Sequence, residues 1–369
     1  MRALTLIGLL HTGGAFAHGG LPETLDRVVS DSGETLVTTH GFLQDSGGSW
    51  EWVCEEIIGA YAFRTGFQIT PLGTWILSTT SGILTSEDGC SWAYAEGPFA
   101  YVSQLALDPV DPGVIWVATD EGLWRSADDG STFALDLPVD ASLRSFVQTA
   151  DGFYLWVFDG DQPQVWFGDA DGFDKTPIEV SAGQLLGLEA DEEGRAYARF
   201  PAGAADELRR YSPDGTEEIL LQTVVNLSAF DIGADGTLHA SVRGLGTQVS
   251  TDDGATWTAP DGQPVNCLHG DVSCPDLNTG VEALFDGGGE VSLRFADVAG
   301  PRDCPADSDF ALYCEPLWPL VSLQFGLEEG SEDTGTPSVE VESSCGCNQA
   351  PGALWFGWIL PALLATRRR

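Results

Sequence analysis

Apolar residues fall along this chain in short runs broken by Gly, Asp and Pro. Residues 74–79, 114–119, 153–158, 195–200 and 237–242 form one set of such runs. They favour β-branched and aromatic side chains, which suit a pleated, half-buried surface. A second set, such as 123–126 and 247–250, leads into an aspartate-rich turn and then another aromatic-led run. The pattern predicts short β-strands joined by tight turns. The 45 glycines and 20 prolines agree with that reading.

The turns recur on a fixed period. The stretch Ser250, Asp252, Gly254, Thr256, Trp257 returns as Ser126, Asp128, Gly130, Thr132, Phe133 and as Thr85, Glu87, Gly89, Ser91, Trp92. A shorter form is Asp45, Gly47, Ser49, Trp50, and eroded forms surround Gly172 and Gly215. These glycines are about forty residues apart. A second marker, ending at Gly33, Gly73, Gly113, Gly152, Gly194 and Gly236, keeps the same period. Four strands per period predict an antiparallel propeller blade. A degraded seventh unit is expected from Gly280 as its early turn, Gly300 as its late turn and 309–313 as its last strand. The predicted fold is therefore an all-β, seven-bladed β-propeller over residues 22–326.

The repeated turn resembles the Asp-box (BNR) repeat of sialidases, sortilin-type receptors and photosystem assembly factors. The resemblance implies a hairpin between the third and fourth strands of each blade. Residue chemistry fits: the carboxylate accepts turn amides, glycine supplies positive φ, and the Thr or Ser hydroxyl closes the loop. The turn role is thus expected of Asp45, Gly47, Trp50, Glu87, Gly89, Trp92, Ser126, Asp128, Gly130, Phe133, Ser250, Asp252, Gly254 and Trp257. A metal or catalytic role for these acids would need them aimed at one point, whereas the repeat spreads them around a ring. Asp169, Asp171 and Asp174 alternate like the start of a calcium loop, but the terminal Glu is missing. An eroded turn is favoured there, with Ca2+ the alternative and no other cofactor expected.

The sequence shows no HExxH, no G-x-S-x-G and no phosphate loop. A sialidase-like site would need three arginines beside a Tyr–Glu pair. Arg64 and Arg199 do not reproduce the early arginine motif of that family, and Arg209-Arg210 sits near a strand end. The expectation is a non-catalytic propeller that recognises a glycan or protein ligand, or serves as an envelope component. The alternatives are a sialidase-like glycoside hydrolase and a passive surface coat. Trp52, Trp116, Trp124, Trp156 and Trp166 are expected mostly as core plugs, any at the channel mouth being free to stack on a ligand.

The termini read as targeting elements. Arg2, the apolar run 3–10 and Ala15-Phe16-Ala17 form a signal peptide over residues 1–17, with the cleavage site at Ala15 and Ala17. Residues 327–344 form an acidic linker without aromatics. Cys345-Gly346-Cys347, the apolar run 350–365 and Arg367–Arg369 resemble the MYXO-CTERM class of bacterial sorting signals. That resemblance implies membrane contact through 345–369 until processing, a sorting protease acting near Cys345 and Cys347, and display on the outer surface of a Gram-negative cell or release from it. All 56 acidic residues lie between these segments, against 12 of the 16 basic ones. Such a charge excludes nucleic acid as a partner.

Export permits disulfides among the six remaining cysteines, and six allow fifteen pairings. Cys267 with Cys274 and Cys304 with Cys314 are the local choices, leaving Cys54 with Cys90. The spacing does not suit a zinc site.

Overall fold

A computed structural model of the chain describes residues 21–327, apart from 31–32, 59–63, 80, 98–100, 161, 170–171, 180–184, 203–204, 261, 263–264, 270–271, 276–280 and 286–289. These residues lie within one compact unit, 1–329. The signal segment with Ala15 and Ala17, residues 328–344 of the linker, and the tail with Cys345 and Cys347 lie outside the described residues. Among the described residues no helix is long and apolar enough to cross a membrane.

The strands form seven antiparallel sheets in chain order, over 24–53, 64–94, 102–138, 142–179, 187–223, 227–250 and 265–294. We number them blades 1 to 7. In each, successive strands pair with their chain neighbours. The first strands of adjacent blades touch all the way round, and blade 7 touches blade 1, so the ring is closed. Seven blades agree with the repeat. Among the described residues blade 6 has three strands.

Each inner face is apolar for a packing reason. Second strands such as Trp75–Thr79 and Ile115–Thr119 are buried at every position. They are covered by neighbours within their own blade and by the faces of adjacent blades, which is why they read as unbroken apolar runs. The aromatic wedges Trp52, Trp75, Trp156, Phe42 and Phe200 are fully buried between sheets.

Both periodic markers are hairpins at the same end of the ring. The glycines at 33, 73, 113, 152, 194 and 236 lie between first and second strands, and each box follows the third strand of its blade. In an up-and-down sheet those two turns share one edge, so we call that side the box face. The turns between second and third strands lie on the opposite face.

The seventh unit differs from its sequence reading. Gly280 lies outside the described residues, in the stretch between the second strand, Val272–Pro275, and the third, Glu282–Phe285, rather than between the first and second. Gly300 is not a late turn. Gly300–Pro301 pairs in parallel with Glu51 and Trp52, adding a fifth strand to blade 1. Residues 309–313 are not a strand but a helix, α1 (Asp309–Tyr313), whose start is capped by Ser308 Oγ accepting from the Ala311 amide at 3.2 Å. A second helix, α2 (Trp318–Gln324), follows.

Residues 295–327 therefore form a strap laid back over the start of the ring. Two disulfides fasten it, Cys54–Cys314 and Cys90–Cys304. These replace the local pairings Cys304 with Cys314 and Cys54 with Cys90. In a closed ring the first and last blades are neighbours, so distant cysteines meet. The third bond is Cys267–Cys274, joining facing residues of the first two strands of blade 7. Phe310 and Trp318 pack on Trp52 beneath the strap.

Candidate functional site

The boxes hold the most suggestive acids of the sequence. In blade 3, Ser126 Oγ donates to Asp128 Oδ1 at 2.8 Å and accepts from the Gly130 amide at 3.0 Å. Asp128 also accepts from the amide of Thr132 at 2.9 Å and its hydroxyl at 2.6 Å. Blade 6 repeats this: Thr256 donates to Asp252 through its amide at 2.8 Å and its hydroxyl at 2.6 Å. The Thr132 hydroxyl, with the Thr132 amide, holds the Asp128 carboxyl below its ordinary range, and Thr256 does the same for Asp252. Both carboxylates are turned onto their own loops.

The blade 2 box is one residue shorter, and this moves its carboxylate. Asp88, not Glu87, accepts from the Cys90 amide at 2.7 Å and the Ser91 amide at 3.2 Å, while Ser86 takes the serine role assigned to Thr85. Glu87 is exposed. In blade 1 Asp45 ends the third strand, as Ser126 does in blade 3, and accepts from the Gly48 amide at 2.6 Å. Around Gly172 and Gly215 the chain turns between third and fourth strands, in phase with the other boxes. Asp171 and the side chains of Asp169 and Asp174 lie outside the described residues.

Two boxes carry a second aspartate, which the sequence left without a role. Asp129 and Asp253 have φ of 59° and 62°. Each reaches the preceding blade at the residue just after its early-turn glycine. Thr74 donates its hydroxyl to Asp129, and Arg195 donates to Asp253 at 3.0 Å, joined by Arg210 at 2.6 Å. The two turn markers thus meet across each of these blade interfaces. The box aromatics cross it too: Trp257 donates to the Leu220 carbonyl at 2.9 Å, and Phe133 packs with Ile76 and Ile83. Gly254 fits against Leu220, whose Cδ2 would lie 3.0 Å from an added Cβ. These boxes are joints between blades.

Arginines do flank a tyrosine, but on this joint. Arg195 and Arg210 lie by Tyr197, and Tyr197 and Arg195 both donate to Asp191. Arg209 is held between Glu207 and Glu217. Their charges are matched within blades 5 and 6, so this cluster is built as structure.

The opposite face is different. A groove of about 280 Å3 lies where blade 4 meets blade 5, lined by Arg144, Trp156, Phe158 and residues 185–187. A second, of about 230 Å3, crosses blades 5 to 7 and holds Arg199, Asn226, Arg243 and Asn266. Leu186 borders both. Arg144 stands over the rings of Tyr101 and Phe158, with Asp120 3.7 Å away. Arg199 donates to the carbonyls of Leu227 at 3.1 Å and Leu186 at 3.2 Å, fixing the wall between the grooves. Gly187 makes room for it, since a Cβ there would meet Arg199 Nη2 at 2.7 Å. Arg199 was visible in the sequence; Arg144 and Arg243 were not singled out, because nothing local marks them.

The first strands of blades 5, 6 and 1 carry the acids Glu189, Asp231 and Asp26. Glu189, on the first strand of blade 5, is pushed up to about 8 by burial; Arg199 opposes this, while Asp231 and Asp26 add to it. Among the described residues no group of three or more His, Cys, Asp or Glu side chains is placed to hold a metal ion. Of the five tryptophans expected as plugs, all are buried, and Trp156 alone borders the first groove.

No protein-family model matches the chain. A xyloglucanase of Hypocrea jecorina (strain QM6a) is 24% identical over 241 residues, 62% of this chain and 21% of that protein. The extracellular domain of the putative one-component system BT4673 from B. thetaiotaomicron matches with a TM-score of 0.53 and 14% identity, over 72% of this chain and 38% of its own. YCF48 bound to D1 peptide matches with a TM-score of 0.51 and 14% identity, over 70% of this chain and 91% of its own. The chain thus spans about a fifth of the xyloglucanase and under two fifths of the BT4673 domain. At such identities the likeness is one of fold. The protein is a seven-bladed β-propeller.

Proposed function

We propose that this propeller is an exported recognition protein whose binding surface is the face opposite the boxes. The observation carrying this is the pair of adjoining grooves there, which gather Arg144, Arg199 and Arg243 in a chain of net charge −40. Cations concentrated against so acidic a background mark a place where a ligand is met. The box acids, by contrast, serve their own turns and the neighbouring blade. Recognition also accords with the peptide named in the YCF48 complex and with the extracellular setting of the BT4673 domain.

Three disulfides suit an oxidising compartment. On this reading the signal over 1–17 exports the chain, and the sorting segment 345–369 anchors it to the outer surface of a Gram-negative cell. Replacing Cys345 and Cys347 together by Ser is then expected to abolish surface retention, measured by fractionation. Unchanged retention would defeat the anchor.

The ligand classes are a glycan or a protein. Screening the mature protein on glycan and peptide arrays, with Arg144→Ala and Phe158→Ala in parallel, tests the face. Binding that both variants lose supports it, and binding that neither variant alters refutes it. A hydrolase reading draws on the xyloglucanase likeness and on Glu189, a carboxyl that burial pushes up to about 8, with Asp231 and Asp26 adding to the shift. A fluorogenic glycosidase panel, run with Glu189→Gln, separates it: turnover that the variant abolishes would displace the binder reading.

A further inference from the structure

The groove between blades 4 and 5 has a donor without an acceptor. Trp156 is only 1% exposed, yet its indole N–H has no hydrogen-bond partner among the described residues. Four other buried indoles of the ring are satisfied. Trp52 donates to the His40 carbonyl at 2.6 Å, Trp116 to Asp108 at 3.0 Å, Trp124 to Thr119 at 3.1 Å and Trp166 to Gln164 at 2.7 Å. Trp75 and Trp92 lack an acceptor too, Trp75 within the core of blades 1 and 2 and Trp92, half-buried, beside the box acids Glu87 and Asp88. At the wall of a groove, that N–H stands open to an acceptor on an arriving ligand.

The remaining chemistry narrows what arrives. Among the described residues lining the groove no side chain is acidic. Ser145 already donates its hydroxyl proton to Gln104 at 2.7 Å. The polar groups that can turn to a ligand are therefore the Trp156 N–H and the half-exposed guanidinium of Arg144, which faces aromatic rings and forms a long ion pair with Asp120 at 3.7 Å. The Arg199 guanidinium behind Gly187 adds positive potential. Phe158, Leu185 and Leu186 make the rest of the wall apolar. A sugar with hydroxyls all round would leave many of its groups unpaired against this wall. A bare anion would leave the wall unfilled.

We infer that this groove binds a carboxylate carried on an apolar body, the acid meeting Arg144 and the Trp156 N–H while the body packs on Phe158, Leu185 and Leu186. This rests on the reading of that face as the binding surface and gives its ligand class. A volume of about 280 Å3 admits one such group, either a free organic acid or the last residue of a peptide with an apolar side chain.

The test titrates the full mature protein with phenylacetate, N-acetyl-leucine and an N-acetyl dipeptide ending in leucine, each against its amide, with glucuronate as the polar acid. Calorimetry or ligand-observed NMR reads the affinities. The acids should bind about tenfold more tightly than the amides, as loss of one charge-assisted contact predicts. Trp156→Phe and Arg144→Gln should each weaken the acids about five- to tenfold and leave the amides unchanged. A gain from N-acetyl-leucine to the dipeptide identifies a peptide end, and equal affinities with phenylacetate identify a free acid. Equal binding of acids and amides, silence to every apolar acid, or a preference for glucuronate would each overturn the assignment. If Trp156→Phe fails to fold, Arg144→Gln carries the test. An array ligand lost in Arg144→Ala, beside silence to these acids, would overturn the ligand class and leave the recognition face standing.

Discussion

At the scale of residues, the box carboxylates are fixed by local hydrogen bonds, and that makes them testable one at a time. Asp128→Ala removes three acceptor contacts within one turn and should cost about 1–2 kcal/mol in denaturant unfolding. In blade 2, Asp88→Ala should destabilise by a similar amount while Glu87→Ala stays within about 0.5 kcal/mol. The reverse order would restore Glu87 to the role its position in the repeat assigned it. The Ser, Asp, Gly and Thr roles were legible because each partner lies within four residues. The single deletion in the blade 2 box was not, since a one-residue slip leaves the composition of the motif intact. Nor were the second duties of Asp129 and Asp253, whose partners lie in a neighbouring blade. Glu189 yields a pH prediction. Its folded value of about 8 stands above its ordinary 4.5, so its contribution to stability is complete below about pH 4.5 and is lost as pH rises through about 8. Glu189→Gln should therefore raise the melting temperature relative to wild type near pH 9 and converge with it near pH 4. Parallel melting curves across that range would show that Glu189 is not desolvated.

At the scale of elements, the blades came through in the sequence because a strand's alternation and its turn chemistry are both local. The strap did not. Residues 295–327 carry no repeat, and α1, with its Ser308 cap, is too short a helix to stand out from a strand-rich pattern. The cysteines were paired by nearness along the chain, but ring closure makes nearness in space the opposite of nearness in sequence for Cys54, Cys90, Cys304 and Cys314. A bridge that spans 260 residues restricts the unfolded chain more than one spanning 7. On a loop-entropy basis the difference is about 5 against about 2 kcal/mol. Replacing Cys54 and Cys314 by Ala should thus lower the unfolding midpoint more than replacing Cys267 and Cys274. Because Cys90–Cys304 closes nearly the same loop, removing both long bridges should release the strap, seen as proteolytic cleavage within 295–327. A strap that resists protease without either bridge would show that Phe310 and Trp318 suffice to hold it.

At the scale of the whole molecule, the ring has two unlike faces. One carries the boxes and early turns, which bolt blade to blade. The other carries two adjoining grooves with Arg144, Arg199 and Arg243, in a chain where acids outnumber bases by 56 to 16. The sequence displayed the first face through its period and concealed the second. The arginines come from three blades with no common motif, and only closure of the ring brings them together. The account stands on that second face as the place of recognition. The most direct measurement is array binding by the mature protein beside its Arg144→Ala and Phe158→Ala variants, each first shown to melt like wild type. The account predicts a ligand class held by wild type and lost by both variants. Retained binding in both, or loss only when the box face is altered, would contradict it.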